Sequence, residues 1–272
     1  MAHDSKSKAS PYKGTLTAES ASIGIGTAKA NAKRLLDDAE ALIVKERYPS
    51  ACALACLSIE EISKPAIIRK ILLADSPEQV SIGWKLFSSH HDKAAPWIVP
   101  HIIHSNLGTY EQFVNAFMNM RDPVLLDSLK KLSIYCGCYG NCHWADPHKV
   151  IEKGQADVVL NSARILILSG QASPLDSPSG LRLWQSHMQD CFSVGYVLAN
   201  DKIVEFFYKA AERGLLSEPK IPQEEAFDFM TTALVLSEEE TAREIQARGI
   251  TGPEVRTANN QLHWTAHKPR RH

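Results

Sequence analysis

The sequence predicts an all-α protein: an antiparallel helical bundle joined by short loops, with additional helices toward its C-terminal end. Three observations carry this. Apolar residues recur with a helical period in one segment after another. Few stretches alternate apolar and polar residues as half-buried strands would. The segments are punctuated by prolines and capping residues at helix-start positions. There is no internal repeat. The 272 residues, 44% hydrophobic and 22% charged, suffice for a sizeable core of ordinary globular composition. A formal net charge of −1 excludes a global attraction to nucleic acid or anionic membrane, so a nucleic-acid role requires a local basic patch. Met1–Ser10 lacks the apolar stretch of a secretory signal, and no run approaches the roughly 18 apolar residues of a membrane span. The reading is a cytoplasmic protein with no membrane partner.

Along the chain, residues 1–22 read as a flexible N-terminus. From Thr27 to Arg47, Leu35, Leu36, Ala39, Leu42 and Ile43 repeat with helical period. Tyr48-Pro49-Ser50 breaks that helix and starts a second, which runs to about Ala74 and carries Pro65; an interior proline predicts a kink just after Lys64. Ser76 caps a third helix with Pro77 in its first turn, ending near Ala95-Pro96. Trp97–Met120 reads as helical with a weak spot at Asn106-Leu107-Gly108, followed by a short helix over Val124–Tyr135. Cys136–Pro147 is a loop rich in Gly, Cys and Asn, and Ile151–Leu168 an amphipathic helix. Ala172–Gly180 reads as a Pro/Ser/Gly linker. One long helix is expected over Leu181–Gly214, and shorter ones over Glu224–Leu236 and Ser237–Arg248. The domain plan is a bundle over 23–170, a helical extension over 181–250 and a basic tail over 251–272.

The chemistry concentrates between Ala51 and Lys93. At about 100° per residue, Leu54, Leu57, Glu61, Lys64, Ile68 and Leu72 fall within an arc of roughly 80°. Glu61 and Lys64 are therefore placed in line with an apolar stripe, with Glu60 beside them. On the third helix Val80, Trp84, Phe87, His90, His91 and Ala94 are expected to share a face. Charged groups facing a core are costly unless they pair or do chemistry. Glu60, Glu61 and Lys64 suit a buried structural ion pair or a site equally well. His90 is either a satisfied core histidine, hydrogen-bonded to Glu61 or a backbone carbonyl, or a proton shuttle that Glu61 orients, with Lys64 and Lys93 meeting phosphate charge. His101 and His104 read as packing or solvent residues.

Other signals are weaker. Cys136, Cys138, Cys142 and His143, with His148 nearby, are chemically suited to zinc, but Cys-x-Cys-x3-Cys-His is not a standard spacing and free loop thiols are the favoured reading. Cys52 and Cys56 read as small buried hydrophobes. A di-iron bundle needs Glu-x-x-His pairs, and the chain has none. No P-loop or Gly-x-Ser-x-Gly occurs, and Gly24-Ile25-Gly26 is too short for a dinucleotide fingerprint. No cofactor or metal is called for. Lys268 and Arg270 in the tail could touch phosphates.

Several spaced motifs together resemble the AbiV-type abortive infection proteins, a bacterial phage-defence family grouped with the HEPN domains. They are Ala32-Lys33-Arg34-Leu35-Leu36-Asp37-Asp38-Ala39, Glu60-Glu61-Ile62-Ser63-Lys64, Phe87–Lys93, and Lys131–Tyr135 followed by Trp144-Ala145-Asp146-Pro147. The resemblance covers Asn31 to about Leu168. Ser63 stands where the family often has glycine, Pro65 follows the lysine, and the loop after Tyr135 is unusually rich in cysteine. The resemblance implies a HEPN-like helical bundle, a homodimer, and action on RNA or the translation machinery, with a phage protein as activator. Many HEPN proteins are metal-independent RNases with an Arg-x(4–6)-His motif. Arg182 with His187 and Arg256 with His263 match that spacing, both beyond the resembling core. Two function classes follow: an endoribonuclease centred on His90, or a non-catalytic module that binds a phage or host factor to block translation.

Overall fold

A computed structural model of the chain describes residues 10–90, 93, 123–140, 142–169, 173–189 and 196–216. The described residues are predominantly helical, as the periodicity predicts. Helix α1 spans Ala18–Val44, α2 Tyr48–Ile62, α3 Lys64–Leu72, α4 Pro77–Ser88, α5 Pro123–Ile134, α6 Pro147–Val150, α7 Lys153–Ser169, α8 Pro178–Met188 and α9 Tyr196–Glu212. Between α5 and α6 the strands β1 (Gly137–Tyr139) and β2 (His143–Ala145) form a small antiparallel hairpin.

Helix α2 lies at the centre of the first core, packed against α1, α5 and α7. Its buried side chains are mostly small, with Cys52, Ala55 and Cys56 meeting Ala32 and Ala39 of α1 and Val159, Leu160 and Ala163 of α7. Small residues let the helices approach closely. The Ser58 hydroxyl uses that proximity to donate to the Ala32 carbonyl at 2.8 Å. With helices on three sides, α2 is buried at nearly every position, and the stripe Leu54, Leu57, Glu61, Lys64 is its least buried line. The expected inward face is thus the open one, and the fully buried carboxylate is Glu60.

Pro65 splits the second helix instead of kinking it. Proline has no N–H and its ring collides with the carbonyl one turn earlier, so α2 stops at Ile62 and Pro65 falls in the first turn of α3. Helix α4 is capped by Ser76, which accepts from the Gln79 N–H, and ends at Ser88, short of Ala95-Pro96. Ser89 is extended (ψ 128°), so His90 does not continue the face of Val80, Trp84 and Phe87. A Cβ at Gly83 would meet Ile71 at 2.5 Å, which fixes how closely α4 lies on α3.

Helix α1 starts at Ala18, inside the stretch expected to be flexible. Thr17 and Ser20 form a reciprocal capping box, and Ala18, Ala21, Ile25 and Ala28 are buried. The segment before it is also placed: the Trp84 indole donates to the Gly14 carbonyl at 2.8 Å and packs edge-on against Tyr12. The single long helix expected over Leu181–Gly214 is two helices, α8 and α9. Trp184 of α8 packs edge-on against Phe206 of α9 at 5.2 Å. The second core joins these helices to α1 and α3 through Ile25, Ile68, Leu72, Leu181, Trp184 and Phe207.

From Ser173 on, the expected linker is a structured joint with Leu175, Asp176 and Gly180 buried. Pro174–Asp176 forms a 3-10 turn with Leu175 fully buried, and a Cβ at Gly180 would collide with the Leu175 backbone. The Asp176 carboxylate accepts from Lys29 of α1 and from the fully buried Arg69 of α3, each at 2.6 Å. Removing the shared carboxylate from a buried pair leaves cationic charge without that partner, typically a loss of about 3–5 kcal/mol. Asp176→Ala is therefore expected to lower Tm by on the order of 6–15 °C in a thermal melt, and Arg69→Met/Asp176→Leu to recover much of it. A melt of Asp176→Ala unchanged from wild type would refute this role.

Candidate functional site

The site forms where the C-terminal turn of α2 meets α5 and the residues after α4. Glu60 is carried inward because it lies away from the one open line of α2, and its side chain is only 5% exposed. Its two oxygens are divided between two partners. Oε1 accepts from Lys130 Nζ of α5 at 2.5 Å, and Oε2 lies 2.6 Å from His90 Nδ1. Lys130 also reaches Asp127 at 3.1 Å, and Asp127 in turn pairs with Lys131 at 2.5 Å. A charge chain thus runs from the surface lysine inward to the histidine.

The electrostatics follow from burial and pairing. Burial pulls the Lys130 pKa down, but hydrogen bonds to Glu60 and Asp127 more than offset this and leave it above the ordinary lysine value. Burial works against the Asp127 carboxylate too, and hydrogen bonds from Lys131 and Lys130 bring it below its usual range. Glu60 is thereby held as an acceptor against a firmly charged lysine. It takes the Nδ1 proton of His90 and leaves Nε2 as the free nitrogen of the ring. The His90 side chain is 60% exposed. The dyad is buried at the acid and open at the base.

Glu61, expected to orient His90, pairs instead with Lys64 at 2.5 Å, and Lys64 also sits over the Phe87 ring, 5.2 Å from its centroid. The difference is a one-residue rotation, 100° around the helix. Lys93 is 7% exposed. Burial depresses its pKa, with Glu60 and Glu61 pulling it back up and Lys64 and Lys130 pushing it further down. Among the described residues Lys93 has no ion pair. The structure therefore brings Glu60, His90 and Lys93 together, with Glu61 and Lys64 alongside. Lys130 was missed by sequence reasoning. No local signal marks it, because it lies 70 residues from Glu60 in the chain.

Arg182 and His187 are not brought together. Five residues apart on α8, they point to different sides: Arg182 pairs with Glu19 at the surface, whereas the His187 side chain is only 7% exposed. His187 Nε2 donates to the Lys202 carbonyl at 2.9 Å and Nδ1 accepts from Lys209 at 3.0 Å, so both ring nitrogens are engaged in joining α8 to α9. His91, His101, His104, Arg256, His263, Lys268 and Arg270 lie outside the described residues. Among the described residues no group of three or more His, Cys, Asp or Glu side chains is placed to hold a metal ion, and no helix is long and apolar enough to cross a membrane.

Compared with known proteins, residues 21–168 match the HEPN-type family model described as AbiV, a span that includes α1 but for its first three residues, α2–α6, and all but the last residue of α7. No curated protein and no solved structure gives a match.

His187 supplies a prediction. Burial holds its imidazole below the usual pKa, the Lys202 carbonyl only partly opposing this, whereas in the unfolded chain it titrates near ~6.5. Below that pH the unfolded state binds the extra proton, so this stabilisation is complete above about 6.5 and shrinks as pH falls. Urea unfolding at a series of pH values from about 7.5 to 5.5 should show a shallower loss of stability for His187→Gln than for wild type. Parallel profiles would refute a buried neutral His187.

Proposed function

Because this chain belongs to the AbiV family of HEPN-type abortive infection proteins, we propose that it acts against phage as an endoribonuclease whose general base is His90. The observation that carries this reading is the Glu60–His90 pair: a buried carboxylate 2.6 Å from Nδ1 of an imidazole whose ring is exposed. Glu60 fixes the tautomer and steadies the imidazolium that forms during reaction, a positioning role of the kind acid–histidine pairs perform. His90 Nε2 takes the proton from an RNA 2′-OH, and the 2′-oxygen attacks the adjacent phosphorus. The bond to the 5′-oxygen breaks, a 2′,3′-cyclic phosphate remains, and the proton passes to the leaving oxygen.

Lys93 meets the charge that develops on the phosphoryl oxygens. A cation in a partly dry site is worth more there than in water. Lys64, committed to Glu61, is the weaker candidate for this part. The partner is RNA, either free or within the translation machinery, and the active form is a homodimer that a phage protein switches on in the cytoplasm. Arg182, Lys268 and Arg270 would contribute phosphate contacts outside the site.

A second reading, a non-catalytic module that binds a phage or host factor, is favoured by one observation. The hairpin presents Tyr139 and Trp144 to solvent, with Tyr135 exposed just before it and Trp144 74% exposed. Such residues are enriched in binding surfaces.

Purified protein and bulk cellular RNA or tRNA in EDTA separate the two. Under the catalytic reading His90→Ala lowers cleavage by about 100-fold or more. Glu60→Gln lowers turnover by at least about tenfold while RNA binding holds, and Lys93→Met weakens turnover similarly. His187→Gln cleaves as wild type does. Absence of cleavage by folded wild-type protein, with and without lysate from phage-infected cells, would overturn this reading in favour of the binding module.

A further inference from the structure

The hairpin after α5 contains two thiols that the proposed chemistry does not use. Cys138 lies in β1, opposite Trp144, and Cys142 immediately precedes β2. Their sulfur atoms are 3.9 Å apart, with the Cys138 thiol directed at Cys142 Sγ, and both residues are exposed. The turn brings them together: Gly140 (φ 52°) and Cys142 (φ 66°) both take the left-handed conformation, which reverses the chain over very few residues. A non-glycine residue held at positive φ is uncommon, and here it places one sulfur against the other. Cys136 is exposed as well, but among the described residues no hydrogen bond joins it to this pair.

We propose that Cys138 and Cys142 are a reversible thiol–disulfide site that reacts with peroxide-class oxidants. Exposed cysteines next to a resolving partner are the ones that oxidise selectively. Cys142 Sγ, which accepts the Cys138 thiol hydrogen, reacts first. Its thiolate attacks one peroxide oxygen, the O–O bond breaks, and a sulfenic acid and hydroxide form. The Cys138 sulfur then attacks the sulfenic sulfur; the S–S bond forms, the S–O bond breaks and water leaves with the Cys138 proton. Two electrons pass from the thiol pair to the peroxide. From contact at 3.9 Å, the sulfurs reach bonding distance, about 2.05 Å, by rotation of two exposed side chains. The hairpin leaves the end of α5, the helix that carries Lys130 to Glu60. Oxidation would cross-link the turn of the same hairpin that displays Tyr139 and Trp144.

The test needs no RNA cleavage and so stands or falls apart from the catalytic reading. The full-length chain is treated with hydrogen peroxide, alkylated under denaturing conditions and weighed. The expected product has lost about 2 Da, takes up alkyl groups on four of its six cysteines, and takes them up on all six after dithiothreitol. Cys136→Ser should form the same bond, and Cys138→Ser and Cys142→Ser should not. A bond involving Cys136, progression to sulfinic acid without a disulfide, or thiols that stay fully reactive after peroxide would each overturn the proposal. So would stoichiometric zinc in the purified protein that shields all three thiols from alkylation.

Discussion

A carboxylate buried at the centre of a helical bundle constrains everything packed around it. Glu60 is 5% exposed on its side chain, and taking an ionised carboxylate out of water costs several kcal/mol unless partners replace the hydration. Two partners do so. Lys130 fixes where α5 lies against α2, and His90 fixes where the chain runs after α4. Three segments distant in sequence are thus brought to one point by one charge. Apolar contacts between Cys56, Leu126 and Ile59 hold the same helices together without specifying register as sharply. A slip of one residue in α5 would leave both Lys130 and Glu60 in the core without their ion pair. The polar site and the architecture are therefore one constraint, and loss of Lys130 would disturb both.

The site is also unevenly compensated. Lys131, Asp127, Lys130 and Glu60 form an alternating chain, and Glu61 and Lys64 form a closed pair beside it. Among the described residues Lys93 stands outside these pairs, buried among two acids and two other lysines, with its pKa pulled down mainly by burial. Evenly paired charges would make a structural knot and nothing more. A buried ammonium with no ion pair among the described residues, close to the Glu60 that holds His90, is the arrangement expected of a place where an anion belongs. That imbalance is the feature on which the proposed chemistry at His90 rests.

Much of this was legible in the sequence, in proportion to how local the cause is. Pro49, Pro65 and Ser76 announce helix starts within one turn, and the periodicity of Leu35, Leu36 and Ala39 marks a buried face. The cluster of Glu60, Glu61, Lys64, His90 and Lys93 was visible because charges stood among apolar residues. Its internal pairing was not. Helical-face arithmetic assumes one wet side, and α2 has helices on three, so the buried acid is Glu60 and the acid aligned with the stripe is half-open. The start of α1 was hidden because Ala18, Ala21 and Ala28 are too small to signal a core position by composition. Lys130 and Asp176 have no local signature at all, since each is defined by a partner some seventy or more residues away.

Asp176 shows how the part of the chain beyond the family match bears on the part within it. Residues 21–168 contain the Glu60–His90–Lys130 cluster, yet the N-terminal half of α1 and the end of α3 are covered by α8 and α9. Ala21, Ile25, Ile68 and Leu72 would face water without Trp184, Phe206 and Phe207, and Arg69 would lose its buried carboxylate. Exposing several such side chains removes on the order of 1.5–3 kcal/mol each for the larger ones, which is a large fraction of a typical fold's stability. Helix α3 begins one residue after the break at Ser63, and its first residue, Lys64, pairs with Glu61 beside the cluster. The C-terminal helices therefore support the site from behind α3. They act as part of the same packed body.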